Sequence, residues 1–206
     1  MAAKSKSKKK VIRANQIILE DEKGNPRADL LVEADGPVLK LFDEKGKLRV
    51  GLGTYGNQPS LMLHDDTGEL RALVTIHEKG PAVSFADEKG NFRADFGVFD
   101  NRPKLLLFDA SDRLRVHLTV VEDGPGLGFS DDGGKLRMNL GTMQNIPALM
   151  LRDDKDTIRV SIGAGQNANG ILIHDEKGVR RAEFGMNQGK LVFALFDEEG
   201  ELISRE

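Results

Sequence analysis

The sequence predicts an all-β fold: nine two-strand repeats of 22 residues, joined as one long antiparallel β-meander. Three observations predict it. An aspartate recurs every 22 residues, at Asp21, Asp43, Asp65, Asp87, Asp109, Asp131, Asp153, Asp175 and Asp197, with no insertion or deletion between copies. On either side of it apolar and polar residues alternate with period two, the signature of a half-buried strand. Turn signals recur every ten to twelve residues throughout, which leaves no room for a helix.

The repeat opens on its turn, best seen in Leu41-Phe42-Asp43-Glu44-Lys45-Gly46-Lys47-Leu48-Arg49-Val50. The pattern Asp-x-x-Gly runs from Asp21 to Gly24, Asp43 to Gly46, Asp65 to Gly68, Asp87 to Gly90, Asp131 to Gly134, Asp175 to Gly178 and Asp197 to Gly200. Aspartate at the first turn position accepts a hydrogen bond from the backbone two residues on. Glycine at the fourth takes the positive φ that closes the turn into a bulged hairpin. Asp112 and Asp156 stand where the other copies have glycine; aspartate enters the left-handed region more readily than most residues.

After the turn, Leu48, Val50 and Leu52 alternate with Arg49 and Gly51, and the slots recur as Leu70/Ala72/Val74, Leu114/Val116/Leu118 and Ile158/Val160/Ile162. The strand before it repeats Leu39/Leu41, Leu61/Leu63, Leu105/Leu107 and Ile171/Ile173. One apolar face per strand is expected, with Arg, Gly, Asp, Thr, Ser and His on the other. A second turn closes each unit and carries Pro37, Pro59, Pro81, Pro103, Pro125 or Pro147, again 22 apart. Proline has no N–H to give a ladder and fits the start of a strand. In the later copies Asn167-Ala168-Asn169-Gly170 and Gln188-Gly189-Lys190 replace the proline turn, and Arg180 takes an apolar slot. Terminal repeats of an array are commonly atypical.

Two domains are read from this pattern: a basic tail over residues 1–10 and the β-repeat array over 11–206. The tail holds Lys4, Lys6, Lys8, Lys9 and Lys10 and no acid. With those five removed from the 30 Lys and Arg, the array has 25 basic residues against 33 acidic, a net charge of −8. The tail is expected as an attachment segment for an acidic partner or an anionic surface. It has no aromatic residue to stack on bases, so no sequence-specific nucleic-acid binding is expected. There is no cysteine and hence no disulfide or thiolate chemistry. No stretch approaches the roughly 18 apolar residues of a membrane helix, and no secretory signal is visible. A membrane barrel needs strands of about 9–11 residues and aromatic girdles, which this chain lacks, so no membrane insertion is expected. The compartment is left open: cytoplasmic, virion or non-classically exported.

No catalytic, cofactor or metal constellation emerges. His64, His77, His117 and His174 show no ligand spacing. The Asp-rich turns lack the 12-residue loop with a closing Glu that binds calcium. The expectation is a non-enzymatic protein with no cofactor, whose Asp and Gly residues are structural turns. The arginine column (Arg27, Arg49, Arg71, Arg93, Arg115, Arg137, Arg159, Arg181) is expected to pair with acids beside the turns.

An apolar sheet face needs a cover. A single-chain parallel solenoid is the alternative architecture, but it would stack equivalent arginines at about 4.8 Å, and like charges in register destabilise a sheet. The meander places them about 9.6 Å apart, where screening is substantial. Nine units of unbroken period point to self-association, with three chains forming the smallest closed prism. The expected object is a homotrimeric β-prism, a rod of roughly 80 Å for eighteen strands.

The Leu41–Arg49 stretch resembles the tyrosine-aspartate (YD) repeats of bacterial toxin shells, with Phe42, His64, Ala86, Phe108, Ser130, Arg152, His174 or Phe196 in place of the tyrosine. From about residue 11 onward the array also resembles trimeric β-structured fibre shafts of phages and cell-surface appendages. That resemblance implies a stiff fibre or filament-like scaffold. The other function considered is a ligand-binding repeat module that recognises a glycan along its exposed face or at its divergent C-terminal units.

Overall fold

The computed structural model describes residues 11–166 and 168–205. The attachment-tail lysines, Lys4, Lys6, Lys8, Lys9 and Lys10, lie outside the described residues, as does Asn167 of the variant turn. All eighteen strands are antiparallel, and within each compact unit every strand pairs with its sequence neighbours. The parallel solenoid is thereby ruled out.

The chain divides into two compact units at Thr75/Ile76. The first holds β1 (Gln16–Glu20), β2 (Pro26–Glu33), β3 (Gly36–Phe42), β4 (Leu48–Tyr55), β5 (Gln58–His64) and most of β6 (Leu70–His77). The second holds β7 (Gly80–Ala86), β8 (Phe92–Phe99), β9 (Arg102–Phe108), β10 (Leu114–Val121), β11 (Gly124–Ser130) and β12 (Leu136–Met143). It continues with β13 (Ile146–Arg152), β14 (Ile158–Ala164), β15 (Ala168–His174), β16 (Arg180–Asn187), β17 (Lys190–Phe196) and β18 (Leu202–Arg205).

The Asp turns form as their chemistry demands. Asp43 Oδ1 accepts from the backbone N–H of Lys45 at 2.9 Å and of Lys47 at 3.0 Å. Its carbonyl accepts from Gly46 N at 3.0 Å. Gly46 has φ 77, and Asp112 and Asp156 take the same conformation at φ 64 and 68. The opposite connections include a distinct class. Gly56–Asn57, Asp100–Asn101, Gln144–Asn145 and Gln188–Gly189 each have positive φ at both residues, the type I′ geometry whose twist suits a two-residue hairpin.

The period-two reading needs one correction. Leu41 pairs with Val50 but Phe42 pairs with Leu48, and the register shifts between them. Arg49 is the extra residue of a β-bulge, and the same shift recurs at Leu63/His64, Phe129/Ser130 and Leu151/Arg152. Leu48, Leu70, Leu114, Leu136 and Ile158 therefore leave the Val50/Leu52 face and join the opposite one. Alternation cannot reveal this, because a bulge adds a residue without changing its pattern.

The register defines two faces. In the first unit one cross-strand row runs Leu30–Leu39–Leu52–Leu61–Val74. The adjacent row on the other face runs Leu31–Val38–Gly53–Ser60–Thr75. In the second unit the all-apolar row runs Val83–Phe96–Leu105–Leu118–Leu127–Leu140–Leu149–Ile162–Ile171–Phe184–Phe193. The small cores lie on the mixed face. Val38 is 1% exposed, and a Cβ on the facing Gly53 would come within 2.6 Å of Val38 Cγ1, so bare backbone there is what lets valine sink in. Ser60 and Thr75 beside it share a hydroxyl hydrogen bond of 3.0 Å. In the second unit Val192, Ala194 and Phe196 cluster in the same way.

Candidate interaction surfaces

The sequence-predicted turn residues Asp21, Gly24, Asp43, Gly46, Asp65, Gly68, Asp87, Gly90, Asp131, Gly134, Asp175 and Gly178 all fall in the connections from odd to even strands. A meander places alternate connections at opposite margins, so within each unit these turns share one margin. There each Asp meets the arginine six residues on. Asp131 Oδ2 accepts from Arg137 Nη1 at 3.1 Å, and Asp109 Oδ2 from Arg115 Nη1 at 3.1 Å. The arginine also reaches across to the following unit. Arg49, Arg115, Arg137, Arg159 and Arg181 donate Nε to the carbonyls of His64, Ser130, Arg152, His174 and Phe196 at 2.9–3.1 Å. The expected pairing with acids is present, and the carbonyl bond adds a tie between repeats. Arg27 and Arg93 differ in detail, using Nη1 toward the carbonyls of Asp43 and Asp109.

These contacts hold the turn carboxylates ionised. The amide and backbone N–H of Asn25 bring Asp21 well below the ordinary carboxylate range, and the Thr67 hydroxyl leads the same effect at Asp65. At Asp87 partial desolvation pushes upward, but the Lys89 N–H, the Arg93 guanidinium and Asn91 outweigh it, leaving about 2. Asp109 also falls to about 2: desolvation is outweighed there by the Arg113 N–H, Arg115 and the Ser111 N–H. Low carboxylate values of this origin describe a structural device, since a poised acid or base needs a value near its working pH.

In each unit the all-apolar row is exposed. Leu52 is 51% exposed, Phe96 60%, Leu140 48% and Phe184 53%. Single exposed apolar residues are ordinary; contiguous rows mark an interaction surface. Flanking rows extend the patch through Val32, Ile76, Val98 and Val120.

The mixed face of the second unit is different. Clefts of about 430, 410 and 290 Å³ open along β10–β16. His117 Nδ1, Asn139 Oδ1, Arg152 Nε and His174 Nδ1 are buried there without a hydrogen-bond partner. Burial, followed by the charge of Arg180, lowers the pKa of His174. Sequence reading missed this cluster because it joins two repeat slots, the one before the Asp (Arg152, His174) and the one eight residues after it (His117, Asn139), which meet only through the register. The four histidines do not gather into a metal site, and among the described residues no group of three or more His, Cys, Asp or Glu could hold an ion. His77 instead lies against Phe99, with ring centroids 5.7 Å apart.

Compared with known proteins, the chain matches no family model and no curated sequence.

Proposed function

We propose that this protein is a non-enzymatic structural repeat protein that builds a fibre or filament-like scaffold as a homotrimer. Each chain contributes one sheet to a three-sided β-prism. The basic N-terminal tail attaches the assembly to an acidic partner or an anionic surface. The observation that carries the reading is the pair of uninterrupted apolar rows, exposed along the sheet in each unit.

Magnitudes support self-association. Fully burying a Leu, Ile or Phe side chain contributes about 1.5–3 kcal/mol, so a half-exposed one still has about 1 kcal/mol to gain. Association costs about 4–15 kcal/mol in lost freedom. The second unit alone presents more than ten such residues, enough to offset that cost. Copies of the same chain suit the surface because every repeat offers the same rows at the same spacing. Three is the smallest number of sheets that closes a cyclic prism.

Sedimentation equilibrium of the full chain at micromolar concentration tests this. A mass of three chains is expected, and the double variant Leu118→Glu/Leu140→Glu should dissociate while keeping its β-sheet circular dichroism. A monomeric wild-type chain overturns the scaffold reading. Removing residues 1–10 should leave the trimer intact and abolish retention on vesicles rich in anionic lipid or on an acidic polymer.

A further inference from the structure

The scaffold reading uses only the all-apolar face, yet the opposite face of the second unit has features of its own. A single cross-strand row on it runs His117–Gly128–Asn139–Met150–Ser161–Leu172–Glu183. Even strands supply a polar group and odd strands a glycine or a flat apolar side chain. Equivalent polar groups are two strands apart, about 9.6 Å. Met150 and Arg152 line both the 410 and 290 Å³ clefts, while Met150, Ser161 and Leu172 line both the 410 and 430 Å³ clefts. The three clefts thus form one continuous trough from His117 to Asn187.

The chemistry of the trough selects its ligand. Its two guanidinium groups already have acids: Arg152 pairs with Asp156 at 3.2 Å and Arg180 with Glu183 at 3.1 Å. Arg180 also lies over the Phe196 ring, 4.0 Å from its centroid. The charges are compensated, so an ionic ligand has little to gain. The unpartnered atoms include donors and acceptors: Arg152 Nε can only donate, Asn139 Oδ1 accepts, and the imidazoles of His117 and His174 do either according to tautomer. A buried polar atom without a partner is costly, so a ligand able to donate and accept at successive points is favoured. Hydroxyl groups do both.

We infer that the trough spanning β10–β16 binds an extended, uncharged, hydroxyl-rich oligosaccharide. Small turns of the His117, Asn139, Arg152 and His174 side chains, which line the clefts, would bring these buried atoms to its hydroxyl edges, and its C–H faces would lie on Met150 and Leu172. Spacing favours this over a peptide. An extended peptide advances about 3.4 Å per residue, so same-side groups return every ~6.8 Å, out of step with a ~9.6 Å row. An extended β-linked sugar chain advances by close to one strand spacing per ring, so alternate rings present the same edge to each repeat. The inference rests on the ligand-binding reading of the repeats and does not depend on the scaffold.

Titration calorimetry of the full chain against neutral β-linked gluco-, manno- and N-acetylglucosamine oligosaccharides of graded length provides the test. At least one series is expected to bind, with affinity rising with length until the trough is filled. Asn139→Ala and Arg152→Leu should each weaken it by about two- to tenfold, the worth of one hydrogen bond. Gly126→Val is the blocking variant. A Cβ at Gly126, which lines the trough beside His117, has no atom within 4 Å, so the fold should accept it while the ligand is excluded. The dissociated Leu118→Glu/Leu140→Glu chain should bind as wild type does, which separates this result from the fate of the scaffold. Silence across every series overturns the assignment. So does binding that none of the trough variants alters, or tighter binding of a polyanion or an extended peptide than of any neutral sugar chain.

Discussion

Arg115 donates its Nε to the carbonyl oxygen of Ser130 at 2.9 Å, and this bond joins one 22-residue unit to the next. The same guanidinium holds Asp109 in its own turn, so a single side chain fixes both the hairpin and its neighbour. The bulge at the arginine position turns that side chain toward the turn margin. The bulge is therefore part of the inter-repeat joint.

Arg115→Lys should destabilise the chain more than its conserved charge suggests. An ammonium cannot bond the carbonyl and the carboxylate in the same fork geometry. The side chain is 38% exposed, so solvent screening keeps the loss to about 1 kcal/mol. A urea midpoint at unchanged slope measures it. The coupling between Arg115 and Asp109 alone, from a double-mutant cycle, should stay below about 1 kcal/mol. A larger loss for Arg115→Lys than this coupling would assign the excess to the Ser130 carbonyl.

Asp112→Gly and Asp156→Gly should each stabilise the protein. Both aspartates sit at φ above 60°, where glycine avoids the Cβ penalty. Against that, Asp112 faces Arg93 at 3.6 Å and Asp156 faces Arg152 at 3.2 Å, with both acids well exposed. Exposed pairs of this kind contribute little. A net gain of about 0.5–1 kcal/mol per site is expected from thermal or urea melts.

Acid should unfold the protein through its turns. Eight turn carboxylates, Asp21, Asp43, Asp65, Asp87, Asp109, Asp131, Asp153 and Asp175, have lowered pKa values in the fold. In the unfolded chain they return to about 3.9. The unfolded state then binds more protons in that interval, so stability increases with pH through it. The contribution is complete above about pH 4 and is lost as pH falls toward the value of about 2 held by Asp87 and Asp109. Circular dichroism across an acid titration should show one steep loss in that window, and Asp109→Asn should lessen its steepness.

The turns were legible because Asp-x-x-Gly carries its own local chemistry, and the Val50/Leu52 and Leu39/Leu41 columns because alternation survives where no bulge intervenes. Leu48 and its equivalents were not legible. Their face is decided by Arg49 occupying an unpaired position, and only the pairing of Phe42 with Leu48 reveals it. The trough was hidden for a related reason. His117, Asn139, Arg152 and His174 lie far apart in the chain, and Gly128 looks like any strand glycine until the His117 ring is found against it, 2.2 Å from where a Cβ would stand.

Deleting one whole unit should leave the fold intact, whereas deleting half of one should destroy it. Removal of residues 109–130 joins Phe108 to Asp131, and every relationship then finds its equivalent. Strand β9 meets β12 in place of β10, Leu107 faces Met138 where it faced Val116, and Arg93 finds the Asp131 carbonyl where it had that of Asp109. Removal of residues 109–119 cuts an odd number from the array. Every strand beyond the cut would then run in the opposite direction, and Arg93 would lose the Asp109 carbonyl with no equivalent to replace it. The Asp turns downstream would also be asked to form where the type I′ connections belong. The whole-unit deletion should retain a cooperative melt within a few degrees of wild type. The half-unit deletion should lose its cooperative transition, and equal stability in the two would show that register does not couple the repeats.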